Sequence, residues 1–378
     1  MVFYIINEIL LLGWAALLCW RKPSDKKNQI FVVLSFTQLL LVAILRLHIG
    51  NDYDMYANGF YQMSLQDFWT MKYEDWEIGF IFLTKVMTHI IPNYIIYMGV
   101  LSVLCILPIG IYIYKYSKMP WVSVLLYFNM FIFFMEMNFV RQAIALVFVV
   151  WAWHFFKENR FIPFAVLILI GSLFHQTVLI FFIIYFWVKM KPGVKALLAY
   201  GYLLLCFYIA SGGLFNLITQ FFHEEYNQSF FITTGVSFMY CLLPVVIALL
   251  GFFLYKTQTI EPTRENRYLV NLGLLNAFIM ITMSRHAIIE RLSYYTLIFV
   301  ILLVPVMVSS LKKNGIRITA GEKILDWTSE KQKTVLSVSV CGGILAISAV
   351  VFIYGLMHHA HGMIPYESIV PFLNFEVV

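Results

Sequence analysis

Charged side chains are scarce in this chain of 378 residues, of which 12% are Asp, Glu, Lys or Arg and 61% are hydrophobic. This scarcity excludes a soluble domain with an ordinary polar surface, since such domains carry about 25% charged residues. Apolar runs of spanning or nearly spanning length recur from one end of the chain to the other. They exclude a transmembrane β-barrel, whose strands are short and alternating. The sequence therefore predicts an all-α, polytopic membrane protein.

Two further features are missing. The five cysteines stand singly in apolar runs, without the paired spacing of a metal site or a disulfide framework. The predicted inner loops contain no Gly-rich phosphate cradle and no Walker-like motif. We therefore expect no metal, no cofactor and no reaction that uses ATP or a nucleotide sugar. Nothing in the charge pattern indicates a nucleic-acid partner.

About twelve apolar stretches predict transmembrane helices. Residues 78–91 are apolar but short and contain Lys85, and we interpret them as a half-inserted or interfacial segment. The first stretch is followed by Arg21 and Lys22, which favours a retained span over a cleaved signal peptide. The stretches cover residues 2–20, 30–45, 94–114, 120–136, 139–156, 161–174, 175–188, 196–211, 235–255, 268–283, 292–310 and 334–356.

The sidedness of the basic residues supports this interpretation. If 78–91 does not cross, 20 of the 26 basic residues fall in loops on one side, which the positive-inside rule assigns to the cytoplasm. Both termini are then external, and residues 161–188 must enter and return, with their polar break at 174–177 on the outer side. The six basic residues left toward the outer side are Arg46, Lys72, Lys85, Arg141, Arg285 and Arg291.

The predicted domain organisation follows from this topology. We expect a single integral membrane domain over residues 1–378. Residues 46–93 form an external loop with amphipathic and half-inserted helices, 212–234 form a second external loop, and 311–333 form a basic cytoplasmic loop.

Arg141 opens an otherwise apolar segment, where a charge usually faces a bundle interior or a watery path. At helical spacing Asn138 and Arg141 share one face, and Gln142 lies beside them. The guanidinium is a planar fork of donors suited to phosphate oxygens, so this face is a candidate anion site. The structural alternative is an interhelical contact between Arg141 and either Glu136 or a backbone carbonyl.

Residues 46–77 contain a helical aromatic stripe that includes Tyr53 and Tyr56. The stripe is typical of an interfacial amphipathic helix. The functional alternative is a sugar platform, in which the aromatic faces stack on the sugar while Asn51, Asp52 and Asp54 bind hydroxyls. Asp52 and Asp54 alone are too few oxygen ligands to indicate a hard cation.

Two other outer segments carry candidate residues. Residues 284–295 place Arg285 and Glu290 in a cluster that is either an interfacial ion network or a binding site, with Arg291 four residues before Tyr295. His175 lies at the break between two short apolar arms. It is either a hydrogen-bonded membrane histidine or a catalytic group.

The order of these motifs resembles the EpsG family of bacterial membrane proteins, which overlaps the Wzy-type polymerases of O-antigen, capsule and exopolysaccharide. Each motif is short, so the specificity lies in their order and their common outer side over most of the chain. Asn51 departs from the family pattern, which has Thr there, although either side chain can hydrogen-bond a hydroxyl. The matching residues are Gly50-Asn51-Asp52-Tyr53 and Tyr56 after Arg46, Glu77-Ile78-Gly79-Phe80, Asn138-Phe139-Val140-Arg141-Gln142, His175, Arg291 with Tyr295, and Pro365-Tyr366.

The resemblance implies a metal- and nucleotide-independent glycosyltransferase of the bacterial inner membrane, with a fold similar to the C class of membrane glycosyltransferases. The implied donor is a growing glycan on undecaprenyl pyrophosphate, and the acceptor is one lipid-linked repeat unit. A chain-length regulator protein is a further expected partner. This chemistry needs cations for the departing pyrophosphate and a base for the acceptor hydroxyl.

The candidate residues take the following expected roles. The pyrophosphate would be bound by Arg46, Arg141, Arg285 and Arg291. The base would be His175, Asp52, Asp54 or Glu77, and the substrate would contact Asn51, Tyr53, Tyr56, Asn138, Gln142, Glu290 and Tyr295.

Two other classes of protein stay open, a lipid-linked glycan flippase or other transporter and an O-antigen-type ligase. A transporter should show two related halves with matching broken helices, and the sequence shows only the break at His175.

Overall fold

The computed structural model describes residues 1–19, 24–91, 93–222, 235–320 and 323–370. The chain divides into two compact units, the first formed by Met1–Ile183 with Phe352–Val378 and the second by Ile184–Val351. Most of the described residues are helical, in agreement with the all-α prediction. Each predicted span corresponds to a helix or to a pair of helices.

The first unit contains nine helices of the N-terminal half of the described chain. Its helices are α1 (Val2–Leu18), α2 (Asp25–Ile44), α3 (Tyr53–Ser64), α4 (Ile78–Ile90), α5 (Tyr94–Tyr116), α6 (Pro120–Asn129), α7 (Ile132–Asn138), α8 (Val140–Lys157) and α9 (Phe161–Ser172). A 3-10 segment (Gln176–Ile180) follows α9, and another (Ala360–Gly362) lies near the end of the chain.

The second unit begins within α10 (Phe181–Trp187) and ends within α15 (Glu330–Met357). Between them lie α11 (Val194–Phe222), α12 (Met239–Lys256), α13 (Arg264–Met283), a 3-10 segment (Ala287–Ile289), α14 (Glu290–Asn314), and the strands β1 (Ile316–Ala320) and β2 (Lys323–Trp327). Helix α14 is the most buried of the long helices in this unit, because 89% of its apolar 18-residue stretch is buried. Gly251 on α12 and Gly273 on α13 both face Leu303 of α14, and the lack of a side chain at these glycines allows the helices to approach closely.

Six of the described helices are long and apolar enough to cross a membrane, or seven if the bent pair α6 and α7 is one span. They are α2, α5, α8, α12, α14 and α15. Five other described apolar segments are shorter, among them α1, α4 and α9. The structure is therefore that of a polytopic membrane protein, while crossing by about twelve helices stays a prediction.

Residues 161–188 form the predicted hairpin. Helix α9 ends at Ser172, and His175 is extended, with φ −160° and ψ 116°. The chain then returns along α9, so that the Phe164 and Phe182 rings are 6.4 Å apart. The break at His175 is thus confirmed, while its depth in a membrane stays a prediction.

The structure differs from the sequence prediction in three details. The predicted span 120–136 is broken by Phe131, whose φ of 61° is left-handed, and α6 and α7 meet at a bend of 54°. Helix α11 continues to Phe222, so residues 212–222 are helical rather than part of a loop, and 223–234 lie outside the described residues. The basic loop 311–333 contains the antiparallel hairpin of β1 and β2, which pairs Ile316 with Trp327.

Candidate functional site

The turn between α7 and α8 is the platform on which the first unit builds its polar site. Arg46 donates from Nη1 to the Met137 carbonyl at 2.6 Å, and the Asp52 backbone N–H donates to Asn138 Oδ1 at 3.1 Å. Farther along, the Arg141 backbone N–H donates to the Tyr56 hydroxyl at 3.4 Å. Residues 46–56 therefore run along residues 137–141 and satisfy polar groups that the helix break leaves open.

Glu77 connects this turn to the His175 break. Its Oε2 accepts a hydrogen bond from Arg141 Nη1 at 2.6 Å, and its Oε1 lies 2.9 Å from His175 Nδ1. Oε1 also accepts from the Gln176 backbone N–H at 3.3 Å. The side chains of Arg141, Glu77 and His175 are 17%, 10% and 13% exposed, so the cluster is largely desolvated. We call these three residues the Arg141–Glu77–His175 cluster.

The position of Glu77 is set by the close packing of α4 on the end of α9. Glu77 immediately precedes α4, and the Gly79 backbone N–H donates to the Leu173 carbonyl at 2.8 Å. A Cβ at Gly79 would lie only 2.7 Å from that carbonyl oxygen, so this approach requires glycine. The contact holds Glu77 beside residues 175 and 176.

The charge state of Glu77 follows from its partners. Burial by itself would raise the pKa of this carboxyl. The hydrogen bond from His175 and the charge of Arg141 more than offset burial, and the pKa is lowered from its ordinary value of 4.5. Glu77 is therefore an ionised acceptor at neutral pH.

Arg46 is a second buried cation on the same platform, 2% exposed. Its guanidinium carbon lies 5.5 Å from the centre of the Tyr53 ring. Burial lowers the pKa of Arg46 to about 10, which still leaves it charged at neutral pH.

The last described residues of the chain hold the loop that carries Arg46. The Leu47 backbone N–H donates to the Glu367 carbonyl at 3.0 Å, and the Ile369 N–H donates to the Leu45 carbonyl at 3.0 Å. Arg46 and Ser368 thus form a short antiparallel bridge. Tyr366, one of the residues that matched the family pattern, donates its hydroxyl to the Val42 carbonyl at 2.9 Å.

The structure corrects several expectations about individual residues. Tyr53 and Tyr56 are 1% and 2% exposed, so their rings pack inside the protein and offer no stacking face to a sugar. Asp54 lies 2.6 Å from the exposed His48 and does not contact the cluster. Glu136, the acid we considered as a partner for Arg141, instead accepts from the Tyr127 hydroxyl at 2.6 Å.

The helical face expected for Asn138, Arg141 and Gln142 is also interrupted. Helix α7 ends at Asn138, and Phe139 has φ −92° and ψ 60°, so Asn138 and Arg141 belong to different helices. Asn138 and Gln142 are nonetheless buried, at 1% and 2% exposure. Asn51 is exposed, and its side chain lies against Gly362.

Arg285, Glu290, Arg291 and Tyr295 belong to the second unit. Arg285 is exposed, Glu290 and Arg291 are half-buried in the first turn of α14, and Tyr295 is fully buried. The expected convergence of Arg291 with Arg46 and Arg141 stays a prediction.

Two contributors to the site were not predicted from the sequence. Trp76 lies beside Arg141, whose guanidinium carbon is 5.8 Å from the ring centre, and its ring packs on Gly59 of α3. The Asp75 carbonyl accepts from Arg141 Nη1 at 3.0 Å. Both residues directly precede Glu77 in the sequence, and this proximity is the one feature from which their place in the site could have been predicted. Among the described residues, no group of three or more His, Cys, Asp or Glu side chains is placed to hold a metal ion.

The described helices of spanning length, together with a desolvated polar cluster at the start of one of them, define a polytopic membrane protein with a buried polar site. A model of the EpsG family matches residues 29–325, which is most of the chain, and the chain belongs to that family. Membership indicates a membrane protein of the polysaccharide polymerase, glycosyltransferase-like kind. Comparisons with curated proteins and with solved structures find no match.

Replacing Gly79 by Ala should separate α4 from the end of α9, because the new methyl group would overlap the Leu173 carbonyl. We expect a loss of about 1 to 3 kcal/mol of stability, typical of overpacking, together with a loss of function. Thermal unfolding of the detergent-purified protein measures the effect. Gly13→Ala is the matched control, since a Cβ there meets nothing within 4 Å, and it should be neutral or stabilising. Equal behaviour of the two variants would contradict the packing argument.

The lowered pKa of Glu77 predicts a pH-dependent contribution to stability. Well above pH 4.5 the carboxylate is ionised in the folded and unfolded chains and contributes fully. As the pH falls below this value the unfolded chain binds the proton first, and the contribution is lost as the pH falls through the folded pKa. The stability difference between the wild type and Glu77→Gln should therefore be constant near neutrality and shrink in acid. A difference that persists unchanged down to about pH 3 would refute this account.

Proposed function

We propose that this protein is a polysaccharide polymerase of the bacterial inner membrane. It transfers a growing glycan from undecaprenyl pyrophosphate onto a lipid-linked repeat unit at the outer side, without metal or nucleotide. The observation that carries the proposal is the Arg141–Glu77–His175 cluster. In it Glu77 connects a guanidinium suited to binding phosphate to an oriented imidazole, beside the same turn that Arg46 contacts. An external position for both termini and association with a chain-length regulator belong to the same proposal.

His175 is the proposed general base. With Glu77 ionised, the proton of a neutral imidazole lies on Nδ1 and donates to Oε1, which leaves the lone pair on Nε2. Nε2 is buried and has no hydrogen-bond partner among the described residues. The acceptor hydroxyl would give its proton to this atom while its oxygen bonds to the anomeric carbon of the donor. The bond from that carbon to the pyrophosphate oxygen breaks, and the pyrophosphate leaves with the electron pair.

The other carboxylates fit this role less well. Both oxygens of Glu77 already accept hydrogen bonds, and its lowered pKa makes it a weak base. We therefore assign Glu77 as a positioning residue that orients His175 and Arg141. Asp54 is 66% exposed and paired with His48, which makes it a poor candidate. Asp52 contributes its backbone N–H to Asn138 and lies at the start of α3.

Arg141 and Arg46 are the proposed pyrophosphate ligands. Nη1 of Arg141 is used by Glu77 and Asp75, whereas its Nε is buried without a hydrogen-bond partner among the described residues. Nε of Arg46 is likewise buried and has no hydrogen-bond partner among the described residues. In a desolvated site a donor that binds the developing charge of a leaving group contributes about 3 to 4 kcal/mol to catalysis. Arg285 and Arg291 are further proposed ligands, with Asn51, Asn138, Gln142, Glu290 and Tyr295 proposed for the substrate.

Replacing His175 by Ala should reduce polymerisation about 100-fold or more, the usual contribution of a general base. The measurement is the length distribution of products that the purified protein makes from a defined lipid-linked repeat unit. His154→Ala is the control, because His154 also faces a glutamate, Glu158 at 3.6 Å, but on the far end of α8. Undiminished long products from His175→Ala would remove His175 as the base.

Arg141→Lys should keep the charge but lose the planar fork, and we expect polymer to fall at least about tenfold. Cells should then display single repeat units on the outer side, the phenotype of polymerase loss. Repeat units stranded inside would indicate a flippase, and long chains retained on the lipid carrier would indicate a ligase. Arg160→Lys is the control, since Arg160 is 59% exposed at the predicted cytoplasmic end. Normal long-chain polymer from Arg141→Lys would rule out the proposed role of Arg141.

A further inference from the structure

The second unit contains a cavity of about 660 Å³ whose lining includes no candidate catalytic residue. Three helix ends enclose it, namely the start of α11, the end of α12 at Lys256 and the first turn of α13. Pockets of this volume are large enough for a small polar molecule or a lipid headgroup.

The cavity has charge of one sign only. Four cationic residues line it, Lys191, Lys195, Lys256 and Arg267, and the other described lining residues are neutral. Glu261, which adjoins the rim, lies 2.7 Å from Lys313 in an ion pair of its own. Four cations around one space repel one another, so the cavity favours an anion that neutralises them.

Backbone geometry adds to this preference. The first residues of α11, including Val194 and Lys195, line the cavity. The backbone N–H groups at the start of a helix have no intrahelical acceptor and lie at the positive end of its dipole, which together attract phosphate. Arg267 brings a further donor, since its Nε is buried without a hydrogen-bond partner among the described residues.

The walls of the cavity are fixed by buried side chains. Asn271, one helical turn after Arg267, donates to the Val188 carbonyl at 2.7 Å and to the Met190 carbonyl at 2.8 Å. Three residues after Lys256, the Thr259 carbonyl accepts from Asn314 at 2.8 Å, and the Thr259 hydroxyl donates to the Gly315 carbonyl at 3.0 Å. The segments next to the lysines are thus held in place without help from a ligand.

We propose that this cavity binds a phosphate-bearing anion, supplied either as the headgroup of an acidic phospholipid or as free inorganic phosphate or pyrophosphate. Its four cations belong to the loops that the positive-inside rule assigns to the cytoplasm. Basic pockets between helices on that side of a membrane are suited to acidic lipid headgroups. The site is distinct from the Arg141–Glu77–His175 cluster, and the proposal does not depend on the polymerase function.

The test uses the full-length protein purified in a neutral detergent. Native mass spectrometry measures the apparent affinity for added phosphatidylglycerol, with phosphatidylcholine as the zwitterionic comparison. A second arm measures the thermal shift produced by inorganic pyrophosphate without lipid. The test variant is Lys195→Gln with Lys256→Gln, two exposed side chains whose loss does not endanger folding. The matched control is Lys312→Gln with Lys331→Gln, also exposed and in the same unit but outside the cavity.

If the ligand is a lipid headgroup, the test variant should bind phosphatidylglycerol at least about tenfold more weakly than the wild type, because each lysine near an acidic headgroup contributes about a fivefold change. Phosphatidylcholine binding and the control variant should be unaffected. If the ligand is a free anion, the test variant should instead lose the shift caused by pyrophosphate while keeping its phosphatidylglycerol affinity. Equal behaviour of the test and control variants with both probes would overturn the proposal.

Discussion

The site of the first unit depends on one carboxylate. Glu77 accepts hydrogen bonds from Arg141 and from His175 and Gln176, and so connects three segments that are far apart in sequence. A carboxylate whose side chain is only 10% exposed is tolerated only when it is paired and hydrogen-bonded. Arg141 supplies the pairing charge, and His175 supplies a further hydrogen bond. Removing Glu77 or Arg141 leaves the charge of the other buried without its partner. This interdependence explains why α4 must approach α9 so closely at Gly79.

The break between α7 and α8 is the second constraint on the site. Irregular backbone within a helical membrane protein is tolerated only where protein groups satisfy it, because hydrocarbon cannot. Arg46 supplies a donor to the Met137 carbonyl, and the Tyr56 hydroxyl accepts from the Arg141 N–H. The contacts that satisfy the backbone at the break thereby hold both arginines beside the same turn. A single set of contacts therefore both stabilises the helix break and positions the guanidinium groups of Arg46 and Arg141.

The helices and the key polar residues could be predicted from the sequence, because long apolar runs and a charge within them are local signals. The partner of Arg141 could not. Glu136 is close in sequence but bonds to Tyr127, whereas Glu77 reaches Arg141 across 64 residues, a pairing that only tertiary packing specifies. The stripe of Tyr53 and Tyr56 was read correctly as helical, but its spacing cannot tell whether lipid, sugar or protein covers it. The hairpin of β1 and β2 was missed because its short strands lie within a segment whose clearest signal was its positive charge.

The pairing of residues 45–47 with 367–369 joins two segments that are synthesised far apart in time, because they are far apart in the chain. The Tyr366 hydroxyl binds the Val42 carbonyl, which the ribosome made 324 residues earlier. The loop that carries Arg46 therefore lacks these partners until residues 366–369 have been translated. A nascent chain that stops short of this segment contains every candidate site residue and still lacks the segment that pairs with the loop of Arg46. The contacts that hold the Arg46 loop can therefore form only after the segments that carry Glu77, Arg141 and His175 have been synthesised.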